Sequence, residues 1–358
     1  MADDLIKTNP EGAGELSCPI PISDYPHVVL AHGGGGRLTQ QLIQKMFLPQ
    51  FHNEMIESLH DGATFSLGNS HLAFSTDSYV IKPIFFPGGN IGNLAVNGTV
   101  NDLAMCGATP LYLSAGFILE EGFPMDELWR VVLSMQEAAR IAKVQIVTGD
   151  TKVVDRGKGD KIFINTAGIG IVPEGVHISP ARASVGDKII LSGTIADHGI
   201  AIMSVREGLE FESEITSDSA PLNGLVEIML EVTKDIHVLR DPTRGGVASA
   251  LNEIAEQADV GILISEEKIL IREQVQGACE MLGLDPLYVA NEGKLLAIVP
   301  PQAAEKIVSA MKTHPLGLNT SIIGEVVDKN RGLVIMKSKI GGSRVIDMLS
   351  GEQLPRIC

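Results

Sequence analysis

The sequence predicts an α/β protein of two domains, and three observations carry that expectation. The chain has 358 residues, long enough for two cores, since a single domain usually spans about 100–200 residues. Its composition is 44% hydrophobic, with 38 glycines and only 4% aromatic residues, the balance of a Gly-rich α/β enzyme and not of a disordered, fibrous or membrane chain. Strand-like apolar runs also alternate with helix-period patterns, in two successive series that look alike in outline.

The elements follow in chain order. Residues 1–26 are rich in Pro, Gly, Ser and acids and read as an extended arm. An N-terminal domain is expected over 27–173, with strands near 72–76, 111–119, 145–148 and 162–172. Its clearest helix runs over 125–143, where Leu128, Val131, Val132, Met135, Ala139 and Ala142 form one stripe; Pro124, Asp126 and Glu127 suit its start, and Arg140 and Lys143 its end. A second α/β domain is expected over 174–340. It should hold strands near 188–191, 260–264, 294–299 and 333–337, helices near 197–208 and 221–235, and a helix opening after Gly245-Gly246. No solenoid period is visible. Beyond Gly341-Gly342, Gly351 and Pro355 argue against a continuous helix and predict a mobile tail over 341–358.

Charge and cysteine usage narrow the function classes. Lys and Arg number 28 against 44 Asp and Glu, a net −16, with no basic run, which argues against nucleic acid and anionic membranes as partners. A nucleotide is compatible, because helix N-termini, glycine nests and Mg²⁺ offset charge locally. Four cysteines without CxxC spacing exclude a zinc ribbon or disulfide framework and predict reduced thiols in the cytoplasm. No signal-peptide pattern and no apolar run of membrane-spanning length is present.

Several segments have the composition of a phosphate-handling site. His32-Gly33-Gly34-Gly35-Gly36-Arg37 precedes an amphipathic stretch, so its N–H groups could wrap phosphate at a helix start; a flexible turn is the plain alternative. Asp77 ends one predicted strand, Asp150 ends another, and Asp102 lies in an apolar stretch with Asn97 and Asn101 one turn apart. Carboxylates so placed can converge on Mg²⁺, although any one of them alone reads as a cap or turn residue. Thr148-Gly149-Asp150-Thr151-Lys152 adds an ammonium beside Asp150. Arg240-Asp241-Pro242-Thr243-Arg244-Gly245-Gly246 opens a helix with the composition of an anion cradle, or of an Asp-Pro turn. Asn291-Glu292-Gly293-Lys294 sets Glu292 before an apolar run, at the edge where a general base would sit. His198 reads as a capping or packing residue, and Cys106 and Cys279 as core. Cys18 has no assigned role.

Cys358 differs from the others because it ends the chain. A solvated terminal thiol has no packing purpose and is an oxidation liability, which favours a functional reading. About 17 residues beyond Gly341, at roughly 3.3–3.6 Å each, span up to about 60 Å, so such a tail can visit two sites in turn.

Together these segments, with the terminal Pro355-Arg356-Ile357-Cys358, resemble the HypE family of hydrogenase maturation factors, in the superfamily of aminoimidazole ribonucleotide synthetase, selenophosphate synthetase and thiamine-phosphate kinase. The resemblance spans about 27–358; the arm is longer than the family pattern. It implies an aminoimidazole-ribonucleotide-synthetase-like fold whose N-terminal sheets pair across a homodimer into a β-barrel. It also implies ATP and Mg²⁺ near the domain cleft, with Asp77, Asp102 and Asp150 holding the metal. Gly33, Gly34, Gly35, Gly36, Asn101, Gly149, Asp150, Thr151, Arg240, Thr243, Arg244, Gly245 and Gly246 would surround the nucleotide. Lys152 and Glu292 would remove protons from a thiocarbamate on Cys358. Carbamoylation by HypF, ATP-dependent dehydration to a thiocyanate, and transfer of cyanide through HypC–HypD to the iron of [NiFe] hydrogenase complete the implied activity. Another ATP-using superfamily member, a selenophosphate synthetase or a small-molecule kinase, is the alternative, although a selenophosphate synthetase should carry a reactive Cys beside its Gly-rich segment and 32–37 has none. A non-catalytic thiol carrier is the other alternative.

Overall fold

The computed structural model describes residues 25–209, 214–351, 354 and 356–358. The expected arm, as far as residue 24 and including Cys18, and Pro355 of the tail lie outside the described residues. The first elements of the described residues are a short 3-10 turn, Leu30–Gly33, and two short helices, α1 (Arg37–Leu42) and α2 (Leu48–Phe51). It continues as β1 (Ala63–Leu67), β2 (Ser70–Tyr79), the two-residue strands β3 (Phe85–Phe86) and β4 (Gly89–Asn90), α3 (Ile91–Met105), β5 (Thr109–Glu120), α4 (Met125–Ala142), β6 (Gln145–Val154) and β7 (Ile162–Ile171).

These strands build a five-stranded sheet in the order β1-β2-β7-β5-β6. Only β5 and β6, joined through α4, run parallel, as expected of strands linked by a helical crossover. Helix α3 starts where Asn90 Oδ1 accepts from Gly92 N and Asn93 Oδ1 accepts from Asn90 N, at 2.8 and 2.7 Å, a reciprocal cap. Its buried face lies on β2 and β7. Residues of the edge strand β6 are exposed on both faces except for half-buried Val154, and the sheet also leaves Phe74, Tyr112 and Ile118 exposed.

The second half contributes β8 (Lys188–Leu191), α5 (Asp197–Glu207), α6 (Asn223–Val232), β9 (Val238–Arg240), α7 (Gly246–Gln257), β10 (Gly261–Ser265) and α8 (Glu273–Leu282). It closes with β11 (Leu296–Val299), α9 (Pro301–Met311), β12 (Ser321–Val327), β13 (Val334–Lys337) and β14 (Ser343–Ile346). Its seven strands lie in the order β14-β13-β10-β12-β8-β11-β9. Both faces are covered, which is why 295–299 is continuously apolar: Leu296 and Ile298 join the α7 core, while Ala297 and Val299 join a core shared with α3, α6 and α9. That shared core is what fixes the two halves against each other. No helix among the described residues is long and apolar enough to cross a membrane.

Two expectations change. Strand β2 extends to Tyr79, so Asp77 and likewise Asp150 on β6 sit within strands and not at their ends. Part of the expected tail is a sheet strand, β14 paired antiparallel with β13, and Ile357 and Cys358 are buried.

Candidate active site

Three carboxylates converge from separate elements: Asp61 just before β1, Asp102 on α3 and Asp241 just after β9. Each offers an oxygen, and these atoms lie within 4.8 Å of one another. Ser75 Oγ on β2 lies 2.6 Å from Asp102 Oδ2 and 3.0 Å from the Asp61 carbonyl oxygen. Arg240 bridges Asp61 Oδ1 at 2.9 Å and Glu253 Oε2 at 2.5 Å. Burial, then repulsion within the group, pushes Asp102 well above the usual carboxylate range. Burial raises Asp61 despite Arg240, and raises Asp241 to about 6. Asp61 Oδ2 is buried without a partner. An all-oxygen group that burial destabilises as anions, with one oxygen left unpaired, fits a hard divalent cation such as Mg²⁺.

The chain's end docks close by. Val80 N donates to Cys358 O at 3.1 Å and Lys82 N to Arg356 O at 3.2 Å, extending the end of β2 with a short length of tail. Arg356 Nε donates to Val80 O at 2.8 Å, and its guanidinium pairs with Asp160. His198, fully buried on α5, lies 2.8 Å from Ile357 O through Nε2 and 2.7 Å from Ser217 Oγ through Nδ1. A carbonyl only accepts, so Nε2 carries the proton and Nδ1 accepts from Ser217. Burial lowers the affinity of this ring for a second proton.

Burial pushes the Cys358 thiol up to about 12, against the opposing pull of Arg244. Cys358 is in turn the main cause of the raised Arg244 guanidinium. Glu292 is 3% exposed. Burial, then Asp241, Asp77 and Asp218, raises its carboxyl well above the usual range, and Glu292 Oε1 has no partner. A raised, unpaired carboxyl near a buried thiol is a group poised to exchange protons.

The residues anticipated from sequence divide accordingly. Asp77, Asp102, Glu292, Arg244 and Cys358 share one electrostatic neighbourhood. Asp150 and Lys152 do not join it in the single chain. They pair with each other at 2.5 Å on exposed β6, where their side chains are 69% and 68% accessible. Gly149 has a packing role, since a Cβ there would come 2.2 Å from Ala115 O. Asn101 is held inside the protein: its Oδ1 accepts from Leu222 N at 2.8 Å, and its Nδ2 donates to Ala220 O at 3.1 Å and Glu292 O at 3.3 Å. Arg240 is committed to carboxylates.

The Gly-rich segment is also engaged within the chain. Gly35 N donates to Thr39 Oγ1 and Arg37 N to Leu349 O, while Arg37 pairs with Asp347 at 2.5 Å. Gly35 has φ +74°, and a Cβ on Gly36 would come 2.4 Å from Leu349 O. Close approach to the α7 start and the tail therefore demands glycine here, whatever else the segment binds. Thr243 and Gly245 form the turn into α7, and a Cβ on Gly246 would come 2.4 Å from Leu287 O.

Asp61 and Asp241 were missed as ligands because each looks like a turn former; only the fold joins them to Asp102. A cavity of about 530 Å³ borders Asp61, Ser75 and Thr76 and is walled by Met55, Ile56, Phe65 and Phe74. A larger cavity, about 760 Å³, lies among α3, α4 and α6 and touches none of these three carboxylates.

The family model for the N-terminal domain of AIR synthase related proteins matches residues 59–172, and that for the C-terminal domain matches 184–337. Carbamoyl dehydratase HypE of Azotobacter vinelandii is 56% identical over 331 residues, covering 92% of this chain and 97% of that protein. A solved structure of hydrogenase maturation protein HypE in complex with ATP superposes with a TM-score of 0.79 at 52% identity, covering 93% of this chain and 100% of the other. A HypE chain from a HypE–HypF complex gives 0.82 at 51% identity, over 86% and 99%.

Proposed function

The chain belongs to the HypE family of carbamoyl dehydratases, built from AIR synthase related domains, and from that premise we propose that it uses ATP to dehydrate an S-carbamoyl group on its own Cys358 to a thiocyanate. The observation that carries this reading is the docked terminus, with Cys358 buried beside Arg244 and Glu292 at the edge of a carboxylate group suited to a cation.

A thiocarbamate, S–C(=O)–NH₂, cannot expel hydroxide readily, so its oxygen must first become a leaving group. The carbamoyl oxygen takes the γ-phosphoryl group of ATP with release of ADP, and Glu292 accepts one N–H proton as the C=N bond forms. Cleavage of the C–O bond then expels phosphate, which takes up the second N–H proton as S–C≡N forms. Arg244 offsets the negative charge that grows beside the sulfur. Asp61, Asp102 and Asp241 would hold Mg²⁺, with Asp77 close by; bound there, the ion supplies charge neutralisation for the phosphates. The tail contacts make the encounter intramolecular, and the apolar wall of the 530 Å³ cavity suits an adenine ring.

The HypE–HypF complex of a relative supports HypF as the source of the carbamoyl group, and HypC–HypD is the proposed acceptor of cyanide for [NiFe] hydrogenase. Exposed β6 and its apolar neighbours support pairing with a second copy into a barrel, the arrangement that would give Asp150 and Lys152 a site to serve. The test is intact mass of the protein carbamoylated by HypF, before and after Mg-ATP. Loss of one water from the C-terminal peptide, absent in Cys358→Ala, is expected; an adduct unchanged by ATP refutes dehydration. Retained dehydration in Glu292→Gln refutes the base assignment.

A further inference from the structure

We propose that Asp218 is a positioning residue for the dehydration, aligning the base Glu292 with the tail that carries its substrate. The inference rests on the reading of Glu292 as the base. Asp218 is buried in the segment 217–219, between α5 and α6. Its Oδ1 accepts from Glu292 N at 3.0 Å, and its Oδ2 pairs with Lys294 Nζ at 3.0 Å. The two side chains are 3% and 11% accessible, and the pair lines the wall of a cavity of about 320 Å³. The contact is close enough to fix the residue after the base as well: a Cβ on Gly293 would come 1.8 Å from Asp218 O.

The same segment reaches the tail. Ser217 Oγ donates to His198 Nδ1, and His198 Nε2 donates to Ile357 O, one residue before the reacting thiol. Ser219 N closes the turn by donating to Ser217 Oγ at 3.1 Å. Three consecutive residues thus hold the base through its backbone on one side and the substrate-bearing tail through an imidazole on the other. The segment is itself anchored to the N-terminal half, since Ser217 N donates to Pro87 O at 2.8 Å.

Charge separates the two carboxylates as an acid–base assignment requires. Burial would raise Asp218, but Lys294 and the hydrogen bond from Glu292 N outweigh it and hold Asp218 below its usual value. Glu292 faces Asp241, Asp77 and Asp218 against Arg244 and stays raised. Asp218 is therefore the fixed anion and Glu292 the exchangeable one. Burying an ion pair is weakly stabilising at best, whereas removing one partner strands the other, so a pair kept at this location has its use in placement.

The experiment follows single-turnover dehydration of the carbamoylated full chain by intact mass, with ATP affinity and carbamoylation measured on the same variants. Asp218→Ala removes the acceptor and strands Lys294, and dehydration should fall on the order of 100-fold, the scale of a small misplacement of a reacting group, with ATP affinity and carbamoylation unchanged. The double variant Asp218→Asn with Lys294→Met keeps an acceptor for Glu292 N while removing both charges, and should recover dehydration to within about tenfold of the parent. Dehydration at the parent rate in Asp218→Ala, while Glu292→Gln is inactive, overturns the assignment of Asp218 alone. Loss of ATP affinity in step with dehydration in both Asp218 variants also overturns it, since the role is then general to the fold. Full dehydration by Glu292→Gln overturns the base reading itself.

Discussion

Arg356→Ala tests whether the docked terminus governs the chemistry of Cys358. The substitution removes the hydrogen bond from Nε to Val80 O, the ion pair with Asp160 and a guanidinium lying 5.9 Å from the Phe163 ring centroid. The hydrogen bond contributes about 1 kcal/mol net. The ion pair is partly solvated, with side chains 26% and 30% accessible, which limits it to about 0.5 kcal/mol, and the ring contact adds about 0.5 kcal/mol. The total of about 2 kcal/mol corresponds to about a 30-fold shift of the docking equilibrium toward the released tail. Alkylation of Cys358 by iodoacetamide reads that shift. The docked thiol is buried and pushed up to about 12, so labelling proceeds through the released form and its rate follows that population. Cys358 should label about 30-fold faster in the variant, with buried Cys106 and Cys279 as internal references. Equal labelling rates in parent and variant would refute the reasoning, because the arginine contacts would then contribute nothing to docking.

Four further outcomes follow from the same geometry. Asp61→Asn leaves Arg240 paired only with Glu253 and weakens the proposed cation site, so dehydration should drop on the order of 100-fold, the scale of losing one preorganised charge at a reacting centre, and Mg²⁺ should no longer raise the Tm. Asp241 is raised to about 6; a raised acid stabilises the fold below its unfolded pKa and loses that contribution as pH climbs through the folded value. Without Mg²⁺, the stability of the parent relative to Asp241→Asn should therefore fall between about pH 4 and pH 6, and calorimetry in EDTA checks it. Gly293→Ala would drive a Cβ to 1.8 Å from Asp218 O, so it should cost about 1–3 kcal/mol and abolish dehydration before it affects nucleotide affinity, as thermal melts and mass analysis would show. Val147→Asp places a charge on the exposed edge strand β6 and should turn the proposed dimer into a monomer by light scattering; an unchanged dimer would remove β6 from the interface.

Legibility in the sequence followed the source of each signal. Helix α4 was readable almost to its ends, because a half-exposed helix must show its apolar stripe; the expected 125–143 compares with Met125–Ala142. Strand β8 was readable because burial on both faces makes Lys188–Leu191 a short apolar run. Strand β2 was cut short at Thr76 because Thr76, Asp77 and Ser78 look like a turn, although their alternation with buried Ser75 and Tyr79 is that of a strand with one solvated face. Strand β14 was hidden by the glycines around it. The motifs around Asp102, Arg244, Glu292 and Cys358 were visible, but the grouping was not: Asp61 and Asp241 meet Asp102 only through the packing of β1, α3 and β9. Lys152 and Asp150 pair with each other on the exposed edge strand β6, away from the three carboxylates.

The docked terminus also separates two demands on one thiol. Accepting a carbamoyl group requires a nucleophilic sulfur, and burial that pushes Cys358 up to about 12 leaves it protonated and unreactive where it lies. Dehydration has the opposite requirement: a phosphorylated thiocarbamate must be kept from water, which the same burial provides. No single position of the tail serves both steps, so on the proposed reading loading belongs to a released terminus and dehydration to the docked one. The hydrogen bonds from Lys82 and His198 go to the backbone carbonyls of Arg356 and Ile357, and that from Val80 to the terminal carboxylate of Cys358, groups that a modification on sulfur does not alter. The docking contacts are therefore indifferent to whether the thiol is free or carbamoylated, and it is Glu292, Arg244 and the space around the sulfur that must distinguish a loaded tail from an empty one.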